Sequence, residues 1–311
     1  MILYIYILLF SALAFSQEEI APGLHSEELF NYIQNNYTTS HVESYDPARD
    51  ILYREIDNNN GYVFCIYTDF SVQLNESDPS THLYENGMDC EHLWPQSMYE
   101  GTSPMKSDMH HLRPCKSNVN GSRGNKPFNN INDYNTDTWF WLNIASNNIP
   151  TNNINNYSES SSNAFEPHEN VKGDIARAMF YFYTIYENVA DVNFFNLQKE
   201  ILYQWHNEDP PNSTEINRTW NIAYYQNNIP NPFIIDNSLI YRMYFYEEEV
   251  DNLGDITQDG VINVVDVILM VNFILELQTL SEEQLQIADV NMDTIINIVD
   301  ILIVMNIILE N

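Results

Sequence analysis

The stretch CEHLWPQSMYEGTSPMKSDMHHLRPCKSNVNGSRGNKPF, residues 90–128, concentrates positive charge in an otherwise acidic chain. The 311-residue chain has a formal net charge of −32, with 44 acids against 12 Lys and Arg residues. Five of those 12 cations lie between residues 106 and 126, where the one acid is Asp108. This local excess of cations indicates a site for a phosphate or a polyanion. Because phosphate contacts need cations, the acidic remainder of the surface is not expected to bind nucleic acid.

The same stretch carries side chains suited to metal-assisted chemistry on a phosphate ester. A neutral imidazole such as that of His92 can take a proton from water near neutral pH. The adjacent Glu91 carboxylate can hold a divalent cation, and the amide oxygen of Asn120 suits Mg²⁺ or Ca²⁺ as well. The guanidinium of Arg123 can hold a phosphate by a two-pronged contact.

The ordered motifs CEHLWPQS, PMKSDMHHLRP and NVNGSRGNKPF make this region similar to the endonuclease I family of secreted bacterial nucleases, whose site is a His-Me finger (ββα-metal). The likeness extends over about residues 22–240. It implies a mixed α+β nuclease domain. In that domain His92 would be the general base and Arg123 a phosphate contact. Glu91 and Asn120 would bind the metal.

The resemblance implies supporting roles for further residues of the stretch. Asp108 and His110 match the family's Asp-x-His segment and are expected to support the site by hydrogen bonding. Lys106, Arg113 and Lys116 are the predicted substrate-binding cations. The connection between the Glu-His pair and the Asp-x-His segment is shorter here than in longer family members, which leaves Lys106 as the basic residue nearest the scissile phosphate.

The implied reaction is hydrolysis of phosphodiester bonds in DNA, with RNA as an alternative substrate, leaving 5′-phosphate ends. The expected metal is Mg²⁺, with Ca²⁺ or Mn²⁺ as alternatives. One rival hypothesis is a catalytically inactive nucleic-acid-binding protein attached to a scaffold, which the presence of Glu91, His92 and Asn120 disfavours. Another is a phosphodiesterase for small esters, for which the basic patch is larger than needed.

A duplicated acidic module occupies the C-terminal part of the chain. From residue 247 onward there are 14 acids and no Lys or Arg, and two similar segments begin at residues 254 and 288, 34 residues apart. Each places oxygen ligands at positions 1, 3, 5, 7, 9 and 12 of a twelve-residue loop, a spacing that wraps a calcium ion. The predicted ligands are Asp255, Thr257, Asp259, Val261, Asn263 and Asp266 in the first loop, and Asp289, Asn291, Asp293, Ile295, Asn297 and Asp300 in the second.

These two loops resemble the type I dockerin family, whose modules are small, all-α and calcium-bound. The resemblance implies a cohesin-like or cell-surface partner, and the alternative is a module that only stabilises or tethers the secreted enzyme. Gly260 supplies the sharp turn in the first loop, whereas Thr294 replaces it in the second, which predicts a weaker second site.

The predicted organisation is a signal peptide at 1–16, a nuclease domain at 17–246 and a dockerin-like domain at 247–311. The apolar segment MILYIYILLFSALAFS ends in a small-x-small cleavage pattern, although its start lacks a basic residue, so a short membrane anchor is the alternative. The apolar runs 261–275 and 295–309 are interrupted by Asp or Asn, so no stable membrane insertion is expected. The predicted location is extracellular or cell-surface.

Three cysteines, Cys65, Cys90 and Cys115, predict one disulfide and one free thiol in an exported chain. The pairing of Cys65 with Cys90 is favoured because it would brace the Glu-His pair, and the other two pairings stay open.

Local patterns predict a first helix capped by Ser26 and a hairpin over 51–73. They predict long surface loops over 129–167 and three helices between residues 173 and 228.

Overall fold

The computed structural model describes residues 19–75, 77–246 and 253–310, so the predicted signal peptide lies outside the described residues. The chain divides into two compact units between residues 246 and 247. Within the described residues, no helix is long and apolar enough to cross a membrane.

The first unit is built around α5, Lys172–Ile185, which has 12 of its 14 residues buried. A helix that is apolar on nearly all sides needs partners all round it, and other helices supply them. The main partners are α1 (Ser26–Tyr37), α7 (Lys199–Glu208) and α9 (Pro232–Ile235). The other helices of this unit are α2 (Tyr45–Ile51), α3 (Pro79–Glu85), α4 (Ser117–Arg123), α6 (Val192–Asn196), α8 (Ser213–Tyr225) and α10 (Leu239–Tyr244).

Three small antiparallel sheets accompany these helices, so the predicted mixed α+β composition is confirmed. The first has the order β1 (Asn58–Asn59), β2 (Tyr62–Phe64) and β3 (Ser71–Gln73). The second pairs β4 (Met88–His92) with β5 (Leu112–Lys116). The third has the order β7-β6-β8-β9, formed by β6 (Thr138–Trp141), β7 (Ile144–Ser146), β8 (Ser158–Ser160) and β9 (Phe165–Glu166).

The first half of the predicted 51–73 hairpin is wrong. Residues 52–56 continue α2 as one π-helical turn, and the sheet begins only at β1. The apolar positions Ala48 and Leu52 lie four residues apart and are both buried, which is a helical spacing. Arg54 and Glu55 also favour a helix over a strand. The segment ILYREI therefore carries both a strand-like alternation and a helical spacing of apolar residues, and the helical spacing matches the structure.

The Asn- and Ser-rich segment 129–167 also differs from its prediction, because it contains the four-stranded sheet. Its strands are only two to four residues long and are separated by turns, so composition hides them. Polar residues of β8, such as Ser158 and Glu159, are buried and hydrogen-bonded, so the usual link between burial and apolar character fails here.

The predicted N-cap at Ser26 shifts by one residue, because α1 begins at Ser26 and His25 precedes it.

Gly173 lies at the start of α5, where that helix meets the end of α7. A Cβ atom there would stand 1.9 Å from the backbone oxygen of Asp209. That oxygen accepts a hydrogen bond from Arg177 Nη1 at 2.8 Å, and Gly173 N donates to the Asp209 carboxylate at 3.0 Å. The two chain segments are thus held too close for any side chain at this position.

We expect Gly173→Ala to destabilise the first unit by about 2–4 kcal/mol, because relieving the overlap breaks these hydrogen bonds. Thermal denaturation should show a fall in Tm of about 5–10 °C. The matched control is Gly121→Ala in α4, where an added Cβ meets no atom within 4 Å and the Tm should not fall. A Gly173→Ala variant as stable as the parent would contradict this packing.

The described residues of the second unit form three helices: α11 (Val264–Ile274), α12 (Glu282–Ala288) and α13 (Ile298–Glu310). Helices α11 and α13 are the equivalent elements of the two sequence repeats, and they pack on each other. Their core is small. Its buried apolar residues are Ile256, Met270, Ile287, Ala288, Ile301 and Val304.

Candidate active site

The stretch over residues 90–128 folds into two antiparallel strands followed at once by a helix. In the register of β4 and β5, Glu91 lies opposite Arg113 and His92 lies opposite Leu112. Helix α4 starts directly after β5 and packs against both strands. The predicted base and the two predicted metal ligands therefore come from adjacent elements: His92 and Glu91 from β4, and Asn120 from α4.

The Glu91 side chain is buried and is held by one of its two oxygens. Oε1 accepts a hydrogen bond from the Tyr67 hydroxyl at 2.8 Å and lies 3.5 Å from Arg123 Nε. Among the described residues, none donates a hydrogen bond to Oε2. Burial raises the pKa of Glu91 above its usual value, although Arg123 and Tyr67 oppose that shift. A bound cation at the free oxygen would favour the ionised form.

Both ring nitrogens of His92 have hydrogen-bond partners, and these partners define its tautomer. Nε2 lies 3.0 Å from the backbone oxygen of Lys106, which can only accept, so Nε2 carries the proton. Nδ1 therefore keeps its lone pair and accepts from the Gln96 amide at 2.9 Å. Burial lowers the pKa of His92 to about 3, and the nearby His111 adds to the shift. The ring is thus neutral at neutral pH, with Nδ1 as its basic atom.

A cationic cluster lies beside His92 on the face of Tyr45. The Tyr45 ring centroid is 5.5 Å from that of His92. Lys106 Nζ and the Arg49 guanidinium carbon lie 4.9 Å and 4.7 Å from the Tyr45 ring centre. Arg49 also pairs with the exposed Asp46 at 2.6 Å, but its Nε is buried without a hydrogen-bond partner in the described part of the chain. Two positive charges therefore lie close to the predicted base.

Asn120 lines a cavity of about 240 Å³ together with Tyr45, Arg49 and Cys90. The side chain is half-buried, and no hydrogen bond to its amide is found among the described residues. Glu91 does not line this cavity. The amide of Asn120 is therefore free to act as a ligand, although no direct contact joins it to Glu91.

Arg123 lies in a different environment from the one predicted for a phosphate contact. Its side chain is only 1% exposed. Its guanidinium donates to the backbone oxygens of His92, Leu93 and Gly124 and faces the Glu91 carboxylate. Because these partners occupy the head group inside the protein, Arg123 is placed to position Glu91 rather than to reach a phosphate.

Asp108 is a fully buried carboxylate with four hydrogen-bond donors. They are the hydroxyls of Tyr181 and Tyr186, the Gln226 amide and the backbone N–H of His110. Burial alone would raise the pKa of Asp108, but its charged and hydrogen-bonding neighbours lower it. This network fixes the turn that leads into β5.

His110 itself points away from the base, because its Nε2 donates to the Ile229 oxygen at 3.0 Å. Its neighbour His111 lies closer to the site, with its ring centroid 5.5 Å from that of His92. The supporting role predicted for His110 is therefore indirect in this geometry.

Of the three predicted substrate-binding cations, only Lys106 lies beside His92. Arg113 is buried and lines a separate cavity of about 610 Å³, which includes Asp57 and Arg218 but none of Glu91, His92 and Asn120. Lys116 lies opposite Met88, at the far end of the hairpin, and its ammonium binds the Asn143 side chain at 2.9 Å. The structure does not bring these two cations to the base.

Sequence reasoning missed Tyr45, Arg49 and Gln96. Tyr45 and Arg49 lie four residues apart on α2, the spacing at which side chains on one helix face meet. That spacing was the available signal, but their approach to His92 depends on long-range packing. Gln96 follows His92 by four residues in the sequence, yet no helical pattern marks the pair.

The two loops of the second unit have the same hydrogen-bond pattern. The carboxylate of Asp255 accepts from the backbone N–H groups of residues 259 and 260, and that of Asp289 accepts from residues 293 and 294. Asp266 accepts from the N–H groups of residues 257 and 263, as Asp300 does from residues 291 and 297. Thr294 takes a φ of 69° where Gly260 takes 85°, so the second loop keeps the same left-handed turn without glycine.

Among the described residues, no group of three or more His, Cys, Asp and Glu side chains is close enough to hold a metal ion together. The predicted ligand sets of both units do not rely on such groups alone, because they also include amide, hydroxyl or backbone carbonyl oxygens. Such hard oxygen donors fit Mg²⁺ and Ca²⁺.

Comparison with known proteins agrees with both predicted resemblances. A family model described as Endonuclease I matches residues 24–238, and one described as Dockerin type I domain matches residues 253–309. The chain is 32% identical over 170 residues to "Extracellular ribonuclease" of Bacillus subtilis (strain 168). It is 31% identical over 170 residues to "Extracellular ribonuclease" of Bacillus amyloliquefaciens.

Each alignment covers 46% of this chain and 49% of the relative, so the chain spans about half the length of the curated relatives it matches. The Endonuclease I match covers more than half of the chain, and its residues include the whole strand–strand–helix unit with Glu91, His92 and Asn120. The chain therefore belongs to the Endonuclease I family and carries a Dockerin type I domain C-terminal to the region that matches this family.

Proposed function

We propose that this chain is an extracellular, metal-dependent nuclease that hydrolyses phosphodiester bonds, and that β4, β5 and α4 act as its ββα-metal (His-Me) finger. The observation that carries the proposal is the state of His92. Its Nε2–H is held by the Lys106 oxygen, so Nδ1 keeps its lone pair, and two cations contact the Tyr45 ring beside His92. A neutral, oriented imidazole can accept a proton from water, and the cations can hold the phosphate that this water attacks.

In the proposed mechanism His92 Nδ1 accepts the proton of the attacking water. Gln96 now donates to Nδ1 at 2.9 Å, so its amide marks the position that this water takes. The hydrogen bond from Nε2 to Lys106 prevents rotation of the ring and stabilises the imidazolium that forms. Proton transfer of this kind contributes about 10²–10⁴-fold to rate in enzymes.

Glu91 and Asn120 would hold the divalent cation, which neutralises charge on the phosphate and on the leaving 3′ oxygen when bound. The free Oε2 of Glu91 and the free amide of Asn120 support this ligand pair. Tyr67 and Arg123 both anchor Oε1 of Glu91, which fixes the direction of the other oxygen. We assign Arg123 this positioning role.

Arg49 and Lys106 are the proposed phosphate contacts, in place of the buried Arg123. Arg49 lines the same cavity as Asn120 and has an unused buried N–H donor. Lys106 Nζ lies 4.9 Å from the centre of the Tyr45 ring, which the Arg49 guanidinium also contacts and which lies beside His92. A phosphate that bridged the two cations would lie near His92 and Asn120.

We expect Arg49→Ala to lower the cleavage rate by about 10–100-fold, the cost of losing one hydrogen bond from a charged group to the phosphate. A plasmid-nicking assay under steady-state conditions would measure the cleavage rate. Arg49→Lys should keep part of the activity. Lys116→Ala is the matched control, because that cation lies at the far end of the hairpin, and it should change the rate less than twofold. Equal losses in Arg49→Ala and Lys116→Ala would contradict the assignment.

The proposed substrates are DNA and RNA, with little sequence preference, because the candidate site offers cations for the backbone rather than a set of base-reading side chains. The test is incubation of the purified full chain with plasmid DNA, single-stranded DNA and RNA, in Mg²⁺ and in EDTA. Cleavage of at least one substrate in Mg²⁺ and none in EDTA is expected. A folded chain that cleaves no substrate in Mg²⁺, Mn²⁺ or Ca²⁺ would contradict the proposal.

For the second unit we propose calcium binding and attachment to a cohesin-like partner. Six pairs of apolar side chains, related by the 34-residue repeat, are exposed in both copies: Val261 and Ile295, Val264 and Ile298, Val265 and Val299, Ile268 and Leu302, Val271 and Met305, and Leu275 and Leu309. A repeated apolar face of this kind supports a docking role. Calcium-dependent binding to a purified cohesin module is the expected result, and no binding to any of a panel of such modules would contradict it.

A further inference from the structure

Two of the three cysteines lie side by side beneath the β4–β5 hairpin. Cys65 Sγ is 4.0 Å from Cys115 Sγ, and both side chains are buried. The chain segments that carry them run alongside each other, because Ile66 N donates to the Pro114 oxygen at 2.9 Å and Lys116 N lies 3.1 Å from Cys65 Sγ. The two segments therefore run close together at the cysteines, and a bond would bring the sulfurs from 4.0 Å to about 2.05 Å.

The third cysteine cannot take part in this pair. In the β4–β5 register Cys90 lies opposite Pro114, whereas Cys115 lies opposite Asp89. Neighbouring residues of a strand point to opposite faces of the sheet, so the Cys90 and Cys115 side chains lie on opposite faces. The half-buried Cys90 lies beside Tyr45 and Tyr53, and loss of solvent raises the pKa of its thiol to about 12. The pairing of Cys65 with Cys90, favoured from the sequence, does not fit this geometry.

We propose that Cys65 and Cys115 form a disulfide when the chain matures in an oxidising environment, and that Cys90 stays a free thiol. The bond would join the segment after β2 to β5. It would lie two residues from Tyr67, whose hydroxyl holds Glu91. The cross-link would thus brace the residue that orients the proposed metal ligand, but the pairing itself does not depend on the proposed activity.

The chemistry requires a disulfide donor, such as glutathione disulfide. The Cys65 thiolate attacks one donor sulfur, forms a mixed disulfide and releases one donor thiolate. The Cys115 thiolate then attacks Cys65 Sγ and expels the second donor thiolate. Two cysteine thiols lose two electrons and two protons, and the donor disulfide gains both and becomes two thiols.

In the folded chain Cys65 is the more readily ionised of the two thiols, because burial raises the pKa of Cys115. Burial would also raise the pKa of Cys65, but hydrogen bonds from Cys115, Thr68 and the backbone outweigh burial and lower that pKa to about 7. Both sulfurs are shielded in the native fold, with Cys65 2% exposed and Cys115 0% exposed. Exchange with a donor therefore takes place while the chain folds or opens, before the core closes.

Peptide mapping of the full chain tests the pairing directly. The chain is refolded in a glutathione redox buffer, alkylated with N-ethylmaleimide under denaturing conditions and digested without reduction. Trypsin alone leaves Cys65 and Cys90 in one peptide, residues 55–106. Adding a Glu-specific protease cuts between them at Glu76 and Glu85. The expected product links the Cys65 peptide to residues 107–116, with the alkyl group on Cys90.

A link between the Cys65 and Cys90 peptides, or alkylation of all three cysteines after refolding, would overturn the proposal. Thermal denaturation gives a second measurement. Reductant should lower the Tm of the parent and of Cys90→Ser by about 5–10 °C, as expected for a cross-link closing a loop of this length. It should leave the Tm of Cys115→Ser unchanged. A parent Tm that does not respond to reductant would also count against the bond.

Discussion

Replacing His92 by alanine is expected to lower the rate of phosphodiester cleavage by about 10²–10⁴-fold, the usual contribution of a positioned general base. The imidazole is neutral because burial lowers the pKa of His92 to about 3, and its proton is committed to the Lys106 oxygen. The variant loses the lone pair of Nδ1, while Glu91 keeps its contacts with Tyr67 and Arg123. The loss should therefore appear in the chemical step, with metal binding retained.

Single-turnover kinetics under saturating Mg²⁺ would measure this effect, and Tm values would verify that the variant is folded. His82→Ala is the matched control, because the half-buried ring of His82 on α3 hydrogen-bonds to the Gln73 oxygen and, among the described residues, to none of the candidate site. That control should stay within twofold of the parent. A folded His92→Ala variant that cleaves within tenfold of the parent rate would place the base elsewhere.

Removing calcium is expected to unfold the second unit while the first unit stays folded. The second unit has few buried apolar residues, and a core of that size contributes only about 3–5 kcal/mol. Each loop contains several carboxylates, among them the buried Asp266 in the first and Asp300 in the second, and carboxylates that share a loop are expected to repel one another without a cation. Calcium at about 100 times its Kd would stabilise the unit by about 2.7 kcal/mol for each site.

Calorimetry of the full chain in Ca²⁺ and in EDTA would test this expectation. The parent should show two transitions in Ca²⁺ and lose the C-terminal one in EDTA. Asp266→Ala and Asp300→Ala should each weaken one calcium site by about 10²-fold or more, because each removes a charged ligand. Glu283→Ala, an exposed acid outside the loops, is the control and should bind two ions. Two unaltered calcium sites in Asp266→Ala would contradict the ligand assignment.

The parts of the molecule that could be predicted from the sequence are those fixed over short distances. The proposed calcium loops have their oxygen donors within twelve residues, and the two loops have the same hydrogen-bond pattern. The Glu91-His92 pair and the α4 helix are equally local. Their order along the chain was sufficient to indicate the family.

The errors come from long-range packing. Arg123 looked like a phosphate contact from its sequence neighbours, but the backbone oxygens of His92 and Leu93 bind its guanidinium inside the core. Arg49 reaches the candidate site only because α2 packs beside β4 from some 40 residues away. The pairing of Cys65 with Cys115 depends in the same way on how two hairpins meet. No local pattern encodes these contacts.

The chemical ends of the products, formed in ¹⁸O-labelled water, test the proposed water attack most directly. Mass spectrometry of fragments cut by the parent from DNA and from RNA should find 5′-phosphate ends that carry one labelled oxygen, with unlabelled 3′-hydroxyl ends. That result follows if His92 activates water and the 3′ oxygen leaves. RNA fragments that end in 2′,3′-cyclic phosphates, with no label in the 5′ ends and no cleavage of DNA, would contradict it, because the ribose hydroxyl and not water would then be the attacking group.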